Sequence, residues 1–362
     1  MRHALGVGVM LLGCAGFSWS CGDDVVADPA TTSAGPGSGG GQGGAGGTTG
    51  TAGQGGAGGA PVPPEITAAC EALAEPFCTG IFNCLDFVAQ TYFADEAECE
   101  ARRTKGCERA FMASGSDAMS TAAMLQTCAG ATPDPTDCPS VIKSFYHGPD
   151  WVGFPSECFF TGDAADGAAC KIGADCQSGI CGGYEGTTAL CGTCQPQLAE
   201  GDPCMGPCAP GLACANGTCT VLGDVGAMCN TDFDCLIDSW CDNGSCAALL
   251  DTGGACDPMG AVYCDFDNPV CNNVTNQCEA TAPFAMVGGA CWVQMDGSLN
   301  LCSDSACQIN AVTGMGTCIE TAEEGEPCMP ANNLWGYQSN CAFPLLCFGG
   351  TCQYFGDVLE CQ

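Results

Sequence analysis

The chain has 362 residues, with 36 cysteines, 54 glycines, and 7 basic against 41 acidic side chains, for a formal net charge of −34. One residue in ten as cysteine, with only 13% charged residues, excludes the composition of an ordinary cytosolic enzyme and matches that of a disulfide scaffold. So strong a polyanion is repelled by nucleic acid and by anionic membrane surfaces, so neither is an expected partner through protein charge.

Residues 1–20 read as an export signal. Met1 and Arg2 precede an apolar run, Ala4 to Gly13, that is too short to span a bilayer as a mature helix. Two cysteines follow, Cys14 after Leu11-Leu12-Gly13 and Cys21 after Ser18-Trp19-Ser20. The first stretch resembles the lipobox of bacterial lipoproteins, which implies cleavage before Cys14 and a diacylated N-terminal cysteine. Cys21 is the alternative acylation site, with Ser18 standing where that family prefers leucine. Plain secretion after Ser20 is the other reading. No later segment has the length and apolarity of a membrane span, so attachment to a membrane is expected through lipid.

Residues 22–64 are expected to be a tether. Their Gly-rich core from Asp28 to Pro64 has no aromatic side chain and cannot bury enough surface to offset the entropy of ordering. A coil of this composition spans about 30–35 Å. It lacks the strict three-residue period of collagen.

From Glu65 the pattern becomes helical, and residues 65–138 read as a cysteine-bearing helical domain. Ile66, Ala69, Cys70, Leu73 and Phe77 recur at three- and four-residue steps, and Ile81, Cys84, Leu85, Val88 and Tyr92 resume that stripe after an expected break at Thr79-Gly80. Asp95 with Glu98 forms a capping-box signature for a third helix carrying Cys99 and Cys107. Ser116 is the expected cap of a fourth, with Met119, Ala123, Met124 and Cys128 facing inward. Six cysteines, Cys70, Cys78, Cys84, Cys99, Cys107 and Cys128, are available to staple these helices, and spacing leaves their pairing open.

Arg102, Arg103, Lys105 and Arg109 hold most of the chain's basic charge. Two readings stand: a solvated helix face with local Glu–Arg pairs, or a docking surface for the acidic repeats downstream or for an anionic glycan. Residues 139–165 form an aromatic connecting segment in which Phe145, Tyr146, Trp151, Phe154, Phe159 and Phe160 make a candidate binding patch. The same residues would equally serve to pack one module against the next.

Residues 166–362 form a repeat array. Each unit opens on a small acidic or glycine-rich turn followed by a cysteine. The six units carry Cys170, Cys176, Cys181 and a fourth and fifth cysteine in Cys191 and Cys194, one of them supernumerary; Cys204, Cys208, Cys214 and Cys219; Cys229, Cys235, Cys241 and Cys246; Cys256, Cys264, Cys271 and Cys278; Cys291, Cys302, Cys307 and Cys318; and Cys328, Cys341, Cys347 and Cys352. Cys361 stands alone at the end. Units this short hold too few apolar residues for a core, so crosslinks must take its place. Asn-Gly and Gly-Gly steps predict tight hairpins. Four cysteines permit three connectivities, and pairing is expected mostly within units. Setting aside Cys14 and Cys21 leaves an even 34 of the 36 cysteines. The expected fold class is therefore small and disulfide-rich: a short α-helical cysteine-stapled bundle followed by a tandem array of small β-hairpin disulfide repeats.

The frame is clearest from Gly201-Asp202-Pro203-Cys204 through Cys208, Cys214 and Asn216-Gly217-Thr218-Cys219. It resembles the cysteine-rich repeats of the Dickkopf N-terminal and EGF-like classes. The order of lipobox, tether, helical domain and repeats is similar to that of surface lipoproteins of gliding soil bacteria. The resemblance implies an extracellular, non-catalytic module and carries no active residue; calcium-binding EGF signatures are absent, and the expected location is the cell envelope, anchored to the outer membrane or extracellular.

Other chemistry finds little support. Cys191-Gly192-Thr193-Cys194 has the spacing of a zinc knuckle or redox motif, but no second knuckle and no βαβ context accompany it. His147 is the only histidine outside the signal and lacks a nucleophile motif. Asp232 with Asp234, and Asp265 with Asp267, offer oxygens for weak calcium binding but lack the EF-hand glycine and terminal glutamate. No metal or cofactor is expected. The leading expectation is a non-catalytic envelope lipoprotein whose elongated acidic array binds a protein or glycan partner. The alternative is a secreted protease inhibitor using the loop from Trp292 to Leu301.

Overall fold

The computed structural model describes residues 61–361 apart from 115–117, 147–154, 186–189, 205–206, 210–211, 216, 231–233, 237–238, 251–252, 257–263, 266–269, 273, 280–283, 294–298, 311–312, 314, 329–333 and 336–339. The export signal, Cys14, Cys21, residues 22–60 of the glycine-rich tether, Trp151, Phe154, His147, Asp232 and Asp267 lie outside the described residues; the last residues assigned to the tether are described, with Val62 packed on the helical core and Pro64 already in the first helix.

Helix α1, Pro64–Cys84, starts with proline in its first turn, where the missing N–H would have no intrahelical partner. It buries Ile66, Ala69, Cys70, Ala74, Cys78 and Ile81. The helix runs through Thr79-Gly80, against the break the sequence suggests. Gly80 is selected for contact: a Cβ there would lie 3.2 Å from both Val141 methyl groups. The turn comes later, at Leu85, where the chain bends 119° into α2, Asp86–Tyr92. No single helix among the described residues is long and apolar enough to cross a membrane.

Asp95 caps α3, Glu96–Ser114: its carboxylate accepts the Glu98 N–H at 2.9 Å, and Glu98 in turn accepts the Ala94 N–H at 2.6 Å. Helix α4, Ala118–Ala131, turns a different face inward from the one expected. Thr121, Ala122, Leu125 and Cys128 are buried, whereas Met119 is 67% exposed and Ala123 faces solvent. The helix is apolar nearly all round, so periodicity offers little contrast. The face is fixed by Cys128, bonded to Cys158, and by Leu125, fully buried against Ile66 and Phe111 in one cluster.

Four bridges hold this region: Cys70–Cys107, Cys78–Cys99, Cys84–Cys138 and Cys128–Cys158. Only the first two join members of the six cysteines assigned to the bundle. The other two reach forward to Cys138, which starts helix α5, Cys138–Tyr146, and to Cys158 beyond it. The connecting segment is thus bolted to the helices at both ends.

The six repeat units share one connectivity, first cysteine to third and second to fourth. It runs from Cys170–Cys181 with Cys176–Cys194 in the first unit to Cys328–Cys347 with Cys341–Cys352 in the last. Between them stand Cys204–Cys214 with Cys208–Cys219, Cys229–Cys241 with Cys235–Cys246, Cys256–Cys271 with Cys264–Cys278, and Cys291–Cys307 with Cys302–Cys318. The third and fourth cysteines face each other across an antiparallel hairpin, as in Cys214↔Cys219, Cys241↔Cys246 and Cys347↔Cys352. Each bonds backward to the segment that precedes the hairpin, so two crossed ties clamp that segment onto it. A bridge closing about 15 residues contributes on the order of 3 kcal/mol by restricting the unfolded chain.

One backbone device recurs in all six units. The glycine three residues before the first cysteine (Gly167, Gly201, Gly226, Gly253, Gly288 and Gly325) has φ between +77° and +93°, a conformation side chains resist. Its N–H donates to the carbonyl of the fourth cysteine at 2.7–2.9 Å. The fourth cysteine's N–H returns a bond of 2.8–2.9 Å to the residue after that glycine. The recurring glycine is therefore the corner that brings each unit's first strand back onto its hairpin.

The array does not extend away from the helices. Cys191, supernumerary in the first unit, bonds Cys361, solitary at the end, across 170 residues. Leu190 and Leu359 pair beside this bridge, with the Leu190 N–H on the Val358 carbonyl at 2.7 Å and the Glu360 N–H on the Leu190 carbonyl at 2.9 Å. The last helix, α6, Phe355–Val358, lies on α3 so closely that a Cβ at Gly356 would fall 2.3 Å from the Arg109 carbonyl oxygen. Phe355, Val358 and Leu359 enter the same apolar cluster as Ile66, Phe111 and Leu125 of the helices and Ile172 of the first unit. Helical region, first unit and C-terminus therefore share one core.

Candidate functional site

Helix α3 places Arg102, Lys105 and Arg109 on one stripe at three- and four-residue steps, and the last two repeats meet that stripe with acids. Arg102, only 11% exposed, is held by Glu98 at 2.6 Å, Glu323 at 3.0 Å and Asp304 at 3.4 Å, and also donates to the Tyr92 carbonyl. Lys105 pairs with Glu324, and Arg109 reaches Glu324 at 3.8 Å and Asp357 at 3.6 Å. Aromatic contacts flank the charges: Phe343 packs on Tyr92 and Phe93 with ring centres 5.3 and 5.8 Å apart, and Lys105 sits 5.3 Å over the Tyr354 ring. Of the two sequence readings, the structure takes docking to the acidic repeats, and the face is not a solvated one with local pairs alone. Arg103 points elsewhere, 4.2 Å over the Phe77 ring, and burial lowers its pKa to about 10.

Three cations thus face five carboxylates along this seam, so negative charge is in excess. Asp304 carries the result. Burial first, then the neighbouring Glu98, raises its pKa to about 6 against the pull of Arg102. Its backbone is held in the left-handed region at φ +39°, with its N–H on the Gln90 carbonyl at 3.0 Å. Asp357 is also raised, mainly by burial. Tyr354 is pushed up to about 12, first by burial and then by Glu324.

Adjoining this seam, a groove of about 870 Å³ between α1 and α3 is lined by Glu71, Glu75, Ala97, Glu100, Ala101 and Glu108 together with the seam's own Lys105 and Arg109. The basic cluster marked two of its residues in the sequence, but the α1 acids Glu71 and Glu75 join them only in three dimensions.

The aromatic residues are not brought together as a described patch. Phe160 is half-buried and stacks edge-on against Phe111 at 5.6 Å, within the shared core, which is the packing role. The side chains of Phe145 and Tyr146, and all of Trp151 and Phe154, lie outside the described residues. Cys191 and Cys194 do not pair with each other. They stand on one strand, Cys191–Cys194, three residues apart and so on opposite faces, and bond Cys361 and Cys176. Sulfur clusters such as Cys229, Cys235 and Cys246 have ligand-like proximity, but each sulfur is already bonded to another, and among the described residues no cysteine is free. Asp234 accepts the Asn230 N–H at 2.7 Å as a loop-ordering acid. Trp292 and Val293 pair with Asn300 and Leu299 between the bridged Cys291 and Cys302, making a hairpin whose tip is not described.

No family model, curated protein or solved structure matches this chain.

Proposed function

We propose that this chain is an exported, non-catalytic cell-envelope lipoprotein, acylated at Cys14 or alternatively Cys21, that presents disulfide-rich acidic repeats to a protein or glycan partner. The observation that carries the reading is the complete pairing of cysteines among the described residues. Bridges of this number are typical of exported proteins, where the compartment maintains them. Bonded sulfurs are also withdrawn from nucleophilic and metal-ligand roles. The Leu11-Leu12-Gly13-Cys14 stretch and the glycine-rich residues behind it supply the anchor and the spacer, and the Dickkopf-like and EGF-like frame supplies the extracellular character.

The acidic partner surface is the part of the array that the helices leave uncovered, since Asp304, Glu323, Glu324 and Asp357 are already engaged with α3. Palmitate labelling of intact cells tests the anchor: label is expected in the wild type and lost in Cys14→Ala or in Cys21→Ala. Wild type without label would reject it, as would label that survives in both variants. Crosslinking on intact cells followed by capture of the full exported chain tests the partner. The inhibitor reading draws on the pinned hairpin between Cys291 and Cys302. A panel of fluorogenic protease assays showing no inhibition at micromolar protein would remove it.

A further inference from the structure

Cys191–Cys361 differs from every other bridge in the repeat array. The within-unit bridges span 10 to 19 residues, whereas this one spans 170 and ties the first unit to the chain's end. Both of its cysteines are half-buried, and their sulfurs lie 3.9 and 3.2 Å from the same carbonyl, that of Cys170. Cys214 is more exposed, but its bridge closes only one unit.

What the long bridge holds down is specific. Beside it, Phe355, Val358 and Leu359 cover Ile66, Phe111 and Ile172, and Tyr184 stacks edge-on against Phe355 at 5.0 Å. The attachment also includes the Leu190–Leu359 pairing, the close approach of Gly356 to the α3 backbone and the long Arg109–Asp357 contact. The preceding hairpin keeps its own two bridges, Cys328–Cys347 and Cys341–Cys352, whether or not the tail is attached.

From this topology we infer that Cys191–Cys361 is a redox latch: a dithiol reductant opens it ahead of the crossed bridges and frees residues 355–361 from the apolar face they cover, while the six units stay folded. One reductant thiolate attacks the Cys361 sulfur and expels the Cys191 thiolate. The second reductant thiolate then attacks the mixed disulfide and expels Cys361, so that two electrons pass to the protein, two cysteine thiols form and the reductant ends as a disulfide. The crossed bridges resist because each lies in a clamped segment and one broken tie leaves the other holding the same strands.

The test is stepwise reduction of the full oxidised chain with dithiothreitol, quenched by alkylation and mapped by mass spectrometry, with hydrogen exchange measured on the same samples. Cys191 and Cys361 are expected to alkylate first. At that stage the amides of Leu190 and Glu360 should exchange faster by roughly tenfold or more, as for an element moved to the low-stability end of the fold, while Gly226 and Gly325 keep their protection. A Cys191→Ser/Cys361→Ser double variant should show the same exchange pattern without reductant. Alkylation of this pair together with or after the within-unit cysteines overturns the latch. So does early alkylation with Leu190 and Glu360 still protected. If the double variant does not fold, the wild-type reduction series decides alone.

Discussion

The helical region and the repeats solve the same problem by different means. Between residues 64 and 146, apolar side chains meet at helical spacing and bury one another, with Phe93, Leu85 and Leu125 almost wholly enclosed. In the repeats the enclosed groups are chiefly the cystines themselves. The cluster in the third unit consists of Cys229, Cys235 and Cys246, with Cys241 and Ala227 beside them. The lesson is that the sulfurs serve as both the crosslink and the apolar interior, so a unit loses its shape and its core in the same event. The helices would lose only a staple.

The largest expected effect exploits that difference. Removing both ties of the third unit by replacing Cys229, Cys235, Cys241 and Cys246 with serine should abolish protection of the Gly226 and Cys246 amides. The cost is on the order of 3 kcal/mol for each bridge. Full reduction should likewise empty the repeats of exchange protection before the helical circular dichroism falls. Equal sensitivity of both regions would erase the contrast.

Leu125→Ala should cost about 3 kcal/mol in denaturant unfolding of the helices while leaving the disulfide map of the repeats unchanged. Gly356→Ala comes next, at about 1–3 kcal/mol, because its Cβ would strike the α3 backbone at Arg109. Faster exchange at Leu190 and Glu360 should report the displaced tail. Gly226→Ala is a smaller perturbation, about 1–2 kcal/mol for a side chain forced to positive φ, confined to one unit; open space around that Cβ leaves conformation as the sole cost.

The pH effect is the smallest. Asp304 has a folded pKa of about 6, above its usual 3.8, so its ionised form is the disfavoured one in the docked state. That penalty is fully present above pH 6 and is relieved as the pH falls from 6 towards 4. Docking of the last repeats on α3 should therefore tighten on mild acidification, read as slower exchange of the Asp304 amide. In Asp304→Asn that dependence should flatten. Since Asp304 is partly exposed, solvent screens much of the effect.

What the sequence made legible was whatever depends on neighbours a few residues away. The stripe of Ile66, Ala69 and Cys70, the Asp95–Glu98 cap, the hairpin turn at Asn243-Gly244 and the glycine before each first cysteine all follow from local geometry. The inward face of α4 was not legible, because Met119 and Leu125 are equally apolar and only Cys128–Cys158 distinguishes their sides. Closure of the array was also hidden. Cys191 and Cys361 each looked supernumerary, and the four acids that meet α3 were indistinguishable among 41. The clustering of basic residues on a single helix was the one available clue, and by itself it favoured a solvated face over docking.

An open row of repeats can gain or lose members at little cost, since each touches only its neighbours. Here the tail must come home to the first member, so the number of modules is no longer free. Duplicating or deleting one changes the path length of a covalent circuit and the angle at which its two ends meet. Loops between the first and second cysteine of a unit can lengthen without penalty to that circuit, as the spread from Cys204–Cys208 to Cys328–Cys341 already illustrates.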